Sequence, residues 1–188
     1  MGYMAKLFKK GSRVLQCDWE DEKLRAAAVT NSDGSASICI VSWHDEPVEI
    51  ELELEHQTDK PMRRYDYCAD NVPYSPFCDL QDASALVEVN GMVKLTLQPK
   101  SVTFLTTDYV DRTPAKIKNI RLEGNRLAWD ATSDPQHCYY RVFAGKTPRF
   151  KASKENQIAS TVATALEIAD PTLHYKVISV DKYGNGGK

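Results

Sequence analysis

No stretch of this sequence carries the roughly 20 consecutive apolar residues that a membrane-crossing helix requires, so no membrane partner is expected. The opening run "MGYMAKLFKKGSR" has basic residues but lacks the apolar core of a signal peptide, and the chain reads as soluble as it stands. There is no CxxC, and the five cysteines (Cys17, Cys39, Cys68, Cys78, Cys138) are odd in number, which argues against a zinc site and against a full disulfide framework. Cys39 sits in an apolar strand as a small core residue, and Cys68 and Cys78 are expected as thiols. A Gly-rich phosphate loop and a serine nucleophile elbow are both missing. The four histidines, His44, His56, His137 and His174, are scattered without ligand spacing, so no metal and no cofactor is expected. Net charge is −2, which gives no general case for nucleic acid.

What is present is β pattern. "SRVLQC" and "EKLRAAAVT" are followed by the turn residues Asn31, Asp33 and Gly34 and then by "SASICIVSW", a hairpin. In "VEIELELE", Val48, Ile50, Leu52 and Leu54 share one face and four glutamates share the other. That row of glutamates is a solvated face, because catalytic carboxylates oppose each other across a cleft. "PMRRYDY" is a further strand. Asn90-Gly91 is a strong hairpin signal, expected to pair Val89 with Met92 and Leu86 with Leu95 and to put Leu86, Val93, Leu95 and Leu97 on the core face. "SVTFLTT" completes about eight strands, with no convincing helix. Two of them, "RAAAVT" and "SASICIVSW", are apolar on both faces and so need cover on both. One cover is the opposing sheet. The other is expected from the second domain or from a part of the protein outside this chain.

"DYVDRTPAK" separates two strand-rich regions near Asp111. The fold class is all-β, in two domains: a β-sandwich over 1–110 and a smaller sandwich over 111–188. The first holds 11 basic and 18 acidic residues (11 − 18 = −7), the second 13 and 8 (13 − 8 = +5). Such opposite signs fit either contact between the halves or ordinary solvated surface. Trp129 reads as a core tryptophan rather than a sugar platform. In "HYKVISV" both faces are apolar, so the strand belongs in a sheet centre. No strand follows "DKYGNGGK" in the sequence, and an open edge there invites self-association or cover by a nearby segment.

The stretch "YDYCADNVPYSPFCDL", Tyr65 to Leu80, breaks the pattern with two cysteines, two prolines and exposed-type aromatics. Asn71, Tyr74 and Phe77 are its candidate contact residues, for packing against a neighbouring domain, for packing within the loop, or for carbohydrate.

In the second half, "RLAWDA", "YRVFAG" and "HYKVISVDKYGN" resemble strands of a fibronectin type III domain, with Tyr175 in the place of that fold's characteristic tyrosine. In the first half, "SRVLQCDWEDEKLRAAAVTNSDGSASICIVSW" and "LTLQPKSVTFLTTDY" resemble the β-sandwich that follows the catalytic barrel of glycoside hydrolases. The order of parts is similar to family 39, the β-xylosidases and α-L-iduronidases. "YDYCADNVPYSPF" is similar to that family's loop in Asp66, Asn71, Tyr74 and Phe77. It departs from it in having no histidine before Asn71, Val72 before Pro73, and no tryptophan after. The resemblance implies a secreted or periplasmic parent enzyme whose (β/α) barrel is the partner of this chain. About 250 residues of β–α units make such a barrel, and none is encoded here. The chain itself is therefore expected to be no enzyme, with no catalytic residue carried over. Three readings stand: a non-catalytic accessory part of a glycosidase, an autonomous carbohydrate-binding module, or an adhesion or assembly module. Trp19, Trp43 and Tyr65 are the aromatics a carbohydrate-binding face would need in line.

Overall fold

The computed structural model describes residues 2–54, 60–70, 76–77 and 82–187. The fold is all-β apart from one helical turn and a half at the start, α1 (Gly2–Leu7), and a short 3-10 turn at 154–156. Two compact units form, one from 1–74 with 81–109 and one from 75–80 with 110–188.

In the first unit, β1 (Arg13–Leu15), β2 (Leu24–Thr30), β3 (Ala36–Ser42), β5 (Met62–Cys68), β6 (Ala85–Val87) and β8 (Ser101–Thr106) make a six-stranded sheet in the order β1-β2-β3-β8-β5-β6. β4 (Val48–Glu53) and β7 (Met92–Leu97) form a two-stranded sheet, with Val48 opposite Leu97 and Leu52 opposite Val93. The expected β2–β3 hairpin is present, Thr30 pairing Ala36 across a turn in which Gly34 takes φ 82°. Only glycine adopts that angle without strain. Ala28, Ile38, Ile40, Met62 and Leu105 from the large sheet pack with Val93, Leu95 and Leu97 from the small one. The alternation in β4 holds, its glutamates exposed and its aliphatic side chains turned inward.

The Asn90-Gly91 hairpin does not form as expected. Gly91 does take a positive φ of 83°, and Asn90 bridges Met92. Yet β6 pairs with β5, Arg63 opposite Leu86, while β7 pairs with β4. The turn carries the chain from one sheet to the other instead of folding it back within one. Leu86 consequently stands exposed, whereas Val93, Leu95 and Leu97 are buried. Turn chemistry set the local angle; burial of the β4–β7 aliphatic ridge decided the partner.

The second cover for the doubly apolar strands also departs from expectation, because the chain supplies it. α1 brings Leu7, 1% exposed, onto Cys39, Tyr65 and Phe104, with Phe8 beside them. Isolated helices shorter than about 12 residues are marginal in water, so this one is held by its docking. Asn31 Nδ2 donates to the Leu7 carbonyl (3.2 Å), satisfying an end-of-helix acceptor. Leu7→Ala should destabilise the first unit by about 3 kcal/mol and make the Cys39 thiol reactive toward Ellman's reagent. An unchanged melting temperature with Cys39 still protected would show that the cover lies elsewhere.

In the second unit, β9 (Arg121–Glu123), β10 (Arg126–Ala128) and β13 (Ala165–Glu167) form one three-stranded sheet in the order β13-β10-β9. β11 (His137–Gly145), β12 (Gln157–Thr161) and β14 (His174–Asp181) form another, in the order β12-β11-β14. Ile117, Leu127, Trp129, Tyr140, Val142, Ile168 and Val177 fill the core. Trp129 is a core residue as expected, edge-on to Tyr140 with ring centroids 5.5 Å apart. Tyr175 Oη donates to the Asp170 carbonyl, a corner that ties the start of β14 to the preceding turn. β14 is an edge strand whose far end meets the chain's own tail. Gly187 N–H donates to Ser179 O (2.8 Å), and Val180 bridges Gly186.

Asp181 closes this unit. It is fully buried and accepts from Arg112 Nε (2.9 Å), from the N–H groups of Tyr183 and Asn185, and from Asn185 Nδ2. Arg112 also reaches Asp134 (2.6 Å) and holds that carboxyl below the usual carboxylate range. Arg112→Ala strips the cation from a buried carboxylate, which is costly. The second unit should melt at a lower temperature by calorimetry. Arg112→Lys should recover only part of the loss, because an ammonium cannot span both carboxylates as a planar fork does. Equal melting of Arg112→Ala and the parent would remove Asp181 from the list of stabilising contacts.

Candidate binding surface

In an antiparallel sheet, directly paired residues share a face. On the face of the large sheet opposite the small one, the registers set Val29, Ala27 and Arg25 of β2 beside Ser37, Cys39 and Val41 of β3. Phe104 and Val102 of β8 come next, then Tyr65 and Tyr67 of β5. α1 lies over the Cys39–Phe104–Tyr65 row. A six-residue helix is only about 9 Å long, whereas a seven-residue strand runs about 23 Å. The next row, Tyr67–Val102–Val41, is accordingly only half-buried, with Arg25 exposed at its end. Tyr67 packs edge-on to Phe104 (6.1 Å), and burial pushes its phenol up to about 12.

Trp43, the residue after β3, is 63% exposed. Its backbone is fixed, since the Trp43 N–H donates to Lys23 O (2.9 Å). Asp45, two residues on, pairs with Lys100 (2.9 Å) and Lys23 (3.9 Å). His44 turns to Asp21 instead (2.8 Å). Of the three aromatics that sequence singled out, Tyr65 is buried, while Trp19 and Trp43 are exposed. Residues of this chain cover strand 35–43 through Cys39, while Val41 is half-buried and Trp43 exposed. No sequence signal located the cover, because six residues of helix carry no legible period.

Of the loop residues, Asn71 and Tyr74 lie outside the described residues, as does Cys78. Phe77 is half-buried in the second unit. Cys68 is a free thiol. Asp66, just before the loop, is engaged by Arg64 Nε, Ser84 Oγ (2.7 Å) and Thr103 Oγ1 (2.7 Å), a strand-to-strand tie. His137 Nδ1 lies 2.9 Å from Ser179 Oγ against the Tyr140 ring, and burial lowers its pKa. Among the described residues no group of three His, Cys, Asp or Glu side chains could hold a metal ion.

No protein-family model matches the chain, and a search of curated proteins gave no match. The solved structures similar to it include glycosidases. A GH30 endoxylanase from Clostridium papyrosolvens shares 17% identity at a TM-score of 0.47, over 56% of this chain and 25% of its own. A family 30 subfamily 8 xylanase from Clostridium acetobutylicum shares 16% at 0.43, over 56% and 26%. A bacterial orthologue of human α-L-iduronidase shares 16% at 0.39, over 90% of this chain and 38% of its own. This chain thus spans well under half the length of each.

Electrostatics hold the N-terminal cover in place. Lys9 bridges Asp33 and Asp108, each at 2.8 Å. Hydrogen bonds from Lys9 and then Ser35 hold the Asp33 carboxyl far below the usual carboxylate range. A depressed carboxyl pKa contributes stability above the unfolded value, about 3.9, and loses it as pH falls toward the folded one. Hydrogen exchange of residues 4–12, corrected for intrinsic rates, should accelerate as pH drops below about 4. Asp33→Asn should show the faster exchange already at pH 7. Identical protection in parent and variant at both pH values would mean that this ion pair does not hold the segment.

Proposed function

We propose that this chain is a non-catalytic accessory part of a glycoside hydrolase of the family 39 type, supporting a catalytic (β/α) barrel. The observation that carries the reading is the order of parts: a six-plus-two-stranded sandwich followed in the chain by a smaller one. The sequence stretches that resemble the glycosidase sandwich fall on β1 to β3 and β7 to β8. The smaller unit is read as fibronectin type III-like, from its paired three-stranded sheets and the Tyr175–Asp170 corner. Asn71, Tyr74 and Phe77 are the proposed docking residues.

The placement of carboxylates supports a role without catalysis. A retaining glycosidase opposes two carboxyl groups about 5–5.5 Å apart on a rigid scaffold. Here Glu49, Glu51 and Glu53 form a solvated row, Asp66 is tied to Arg64, Ser84 and Thr103, and Asp134 and Asp181 are bound to Arg112. The pure chain should therefore turn over no aryl xyloside, glucoside or iduronide.

The test begins with the coding sequence directly upstream. A barrel with two strand-end glutamates is expected there. Expressed alone, that barrel should be less soluble and melt lower than when co-expressed with this chain. Turnover by the pure chain, abolished by a point mutation within it, would overturn the reading, as would a barrel equally stable without it.

A further inference from the structure

We propose that Asn90-Gly91 is a site of spontaneous covalent modification, where the main chain itself converts Asn90 to isoaspartate and aspartate, while the second Asn-Gly pair, Asn185-Gly186, is spared. The chemistry is intramolecular and consumes only water. The Gly91 backbone nitrogen attacks Cγ of Asn90. A new N–C bond forms as the bond from Cγ to the side-chain nitrogen breaks, and that nitrogen takes up the Gly91 proton and leaves as ammonia. Water then opens the five-membered imide at one of its two carbonyls. Opening at one restores the ordinary main chain with a carboxylate side chain. Opening at the other leaves the main chain running through the former side chain, one carbon longer.

A glycine after the asparagine favours the attack, because no side chain crowds the nitrogen, and the sequence holds two such pairs. The structure separates them. Asn90 is exposed, and among the described residues its side chain has no hydrogen-bond partner. Asn185 is half-buried; its Nδ2 donates to Val110 O (2.6 Å) and to Asp181 Oδ2 (2.9 Å). Its Cγ can turn toward Gly186 only after both bonds break, which slows attack by about tenfold or more. The place also gives the modification a consequence. The turn carries the chain from β6 to β7, with Val89 and Val93 buried on either side and Gly91 O accepting from the Leu54 N–H (2.8 Å). An extra carbon between two anchored residues displaces one of them, so the Glu53–Met92 end of the β4–β7 pairing gives way. The reaction needs no barrel, so this inference stands or falls separately from the accessory reading.

The experiment follows the full chain by tryptic peptide mapping and mass spectrometry during incubation at mildly alkaline pH, folded and in denaturant. In the folded chain, peptide 65–94 should gain the mass of one deamidation, assigned to Asn90 by fragment ions and labelled by protein isoaspartyl methyltransferase. The tail peptide 183–188 should convert about tenfold more slowly. In denaturant the two pairs should react at similar rates. Asn90→Gln should abolish the labelling of peptide 65–94 in the folded chain. The isoaspartyl form should melt below Asn90→Asp, which carries the same charge on a main chain of ordinary length. Conversion of Asn185 as fast as Asn90 in the folded chain would overturn the proposal. So would an Asn90 that stays intact while the denatured chain converts, or an isoaspartyl form that melts together with Asn90→Asp.

Discussion

The first unit is organised by one constraint: its central strand, Ala36–Ser42, is apolar on both sides and must be kept from water on both. Burial on one side comes from the β4–β7 ribbon and on the other from α1. The dependence is mutual. Six residues cannot hold a helix by their own hydrogen bonds, and the sheet face would present Cys39, Tyr65 and Phe104 to solvent without Leu7. Asn31 joins the two, buried in the β2–β3 turn and donating to the helix's last carbonyl, with Ser12 Oγ 2.5 Å from its Oδ1. Turn, helix end and following loop are thereby fixed by one side chain. Lys9 adds a charge clamp to Asp33 and Asp108 across the same junction.

The second unit answers a related problem differently. β14 is apolar on both faces, yet among the described residues it has a strand on only one side, β11. The tail folds back at Gly184, where φ is 85°, and pairs with Ser179 and Val180, so the end of the edge is engaged by backbone from the same chain. The turn that makes this possible is built on Asp181, whose carboxylate gathers the N–H groups of Tyr183 and Asn185. Arg112 then supplies the counter-charge that lets the carboxylate stay buried.

Much of this was legible in the residues, and the rest was not for physical reasons. Period-two alternation in "VEIELELE" and "MVKLTL" gave β4 and β7 and their inward faces, because alternation is a local property of one strand. The partner of each strand is not local. Asn90-Gly91 reads as a hairpin from turn chemistry alone, yet the strands on either side enter different sheets. α1 lacks a period long enough to recognise, so the cover for the doubly apolar strands could only be inferred as necessary and was assigned elsewhere. Trp43 was visible as an aromatic at a strand end. Its exposure is not a local property: Tyr65 is buried with Leu7, Cys39 and Phe104, and Trp43 is outside that cluster.

That limit of coverage also sets how far along the sheet burial extends. A helix about 9 Å long cannot screen a strand face more than twice its length, so the Val41 row is half-buried and Trp43 beyond it is exposed. The backbone there is held by ladder hydrogen bonds between β3 and β8 and by the Trp43 N–H to Lys23 O bond. The open end of the face is what a short helix leaves behind when it covers only part of a sheet.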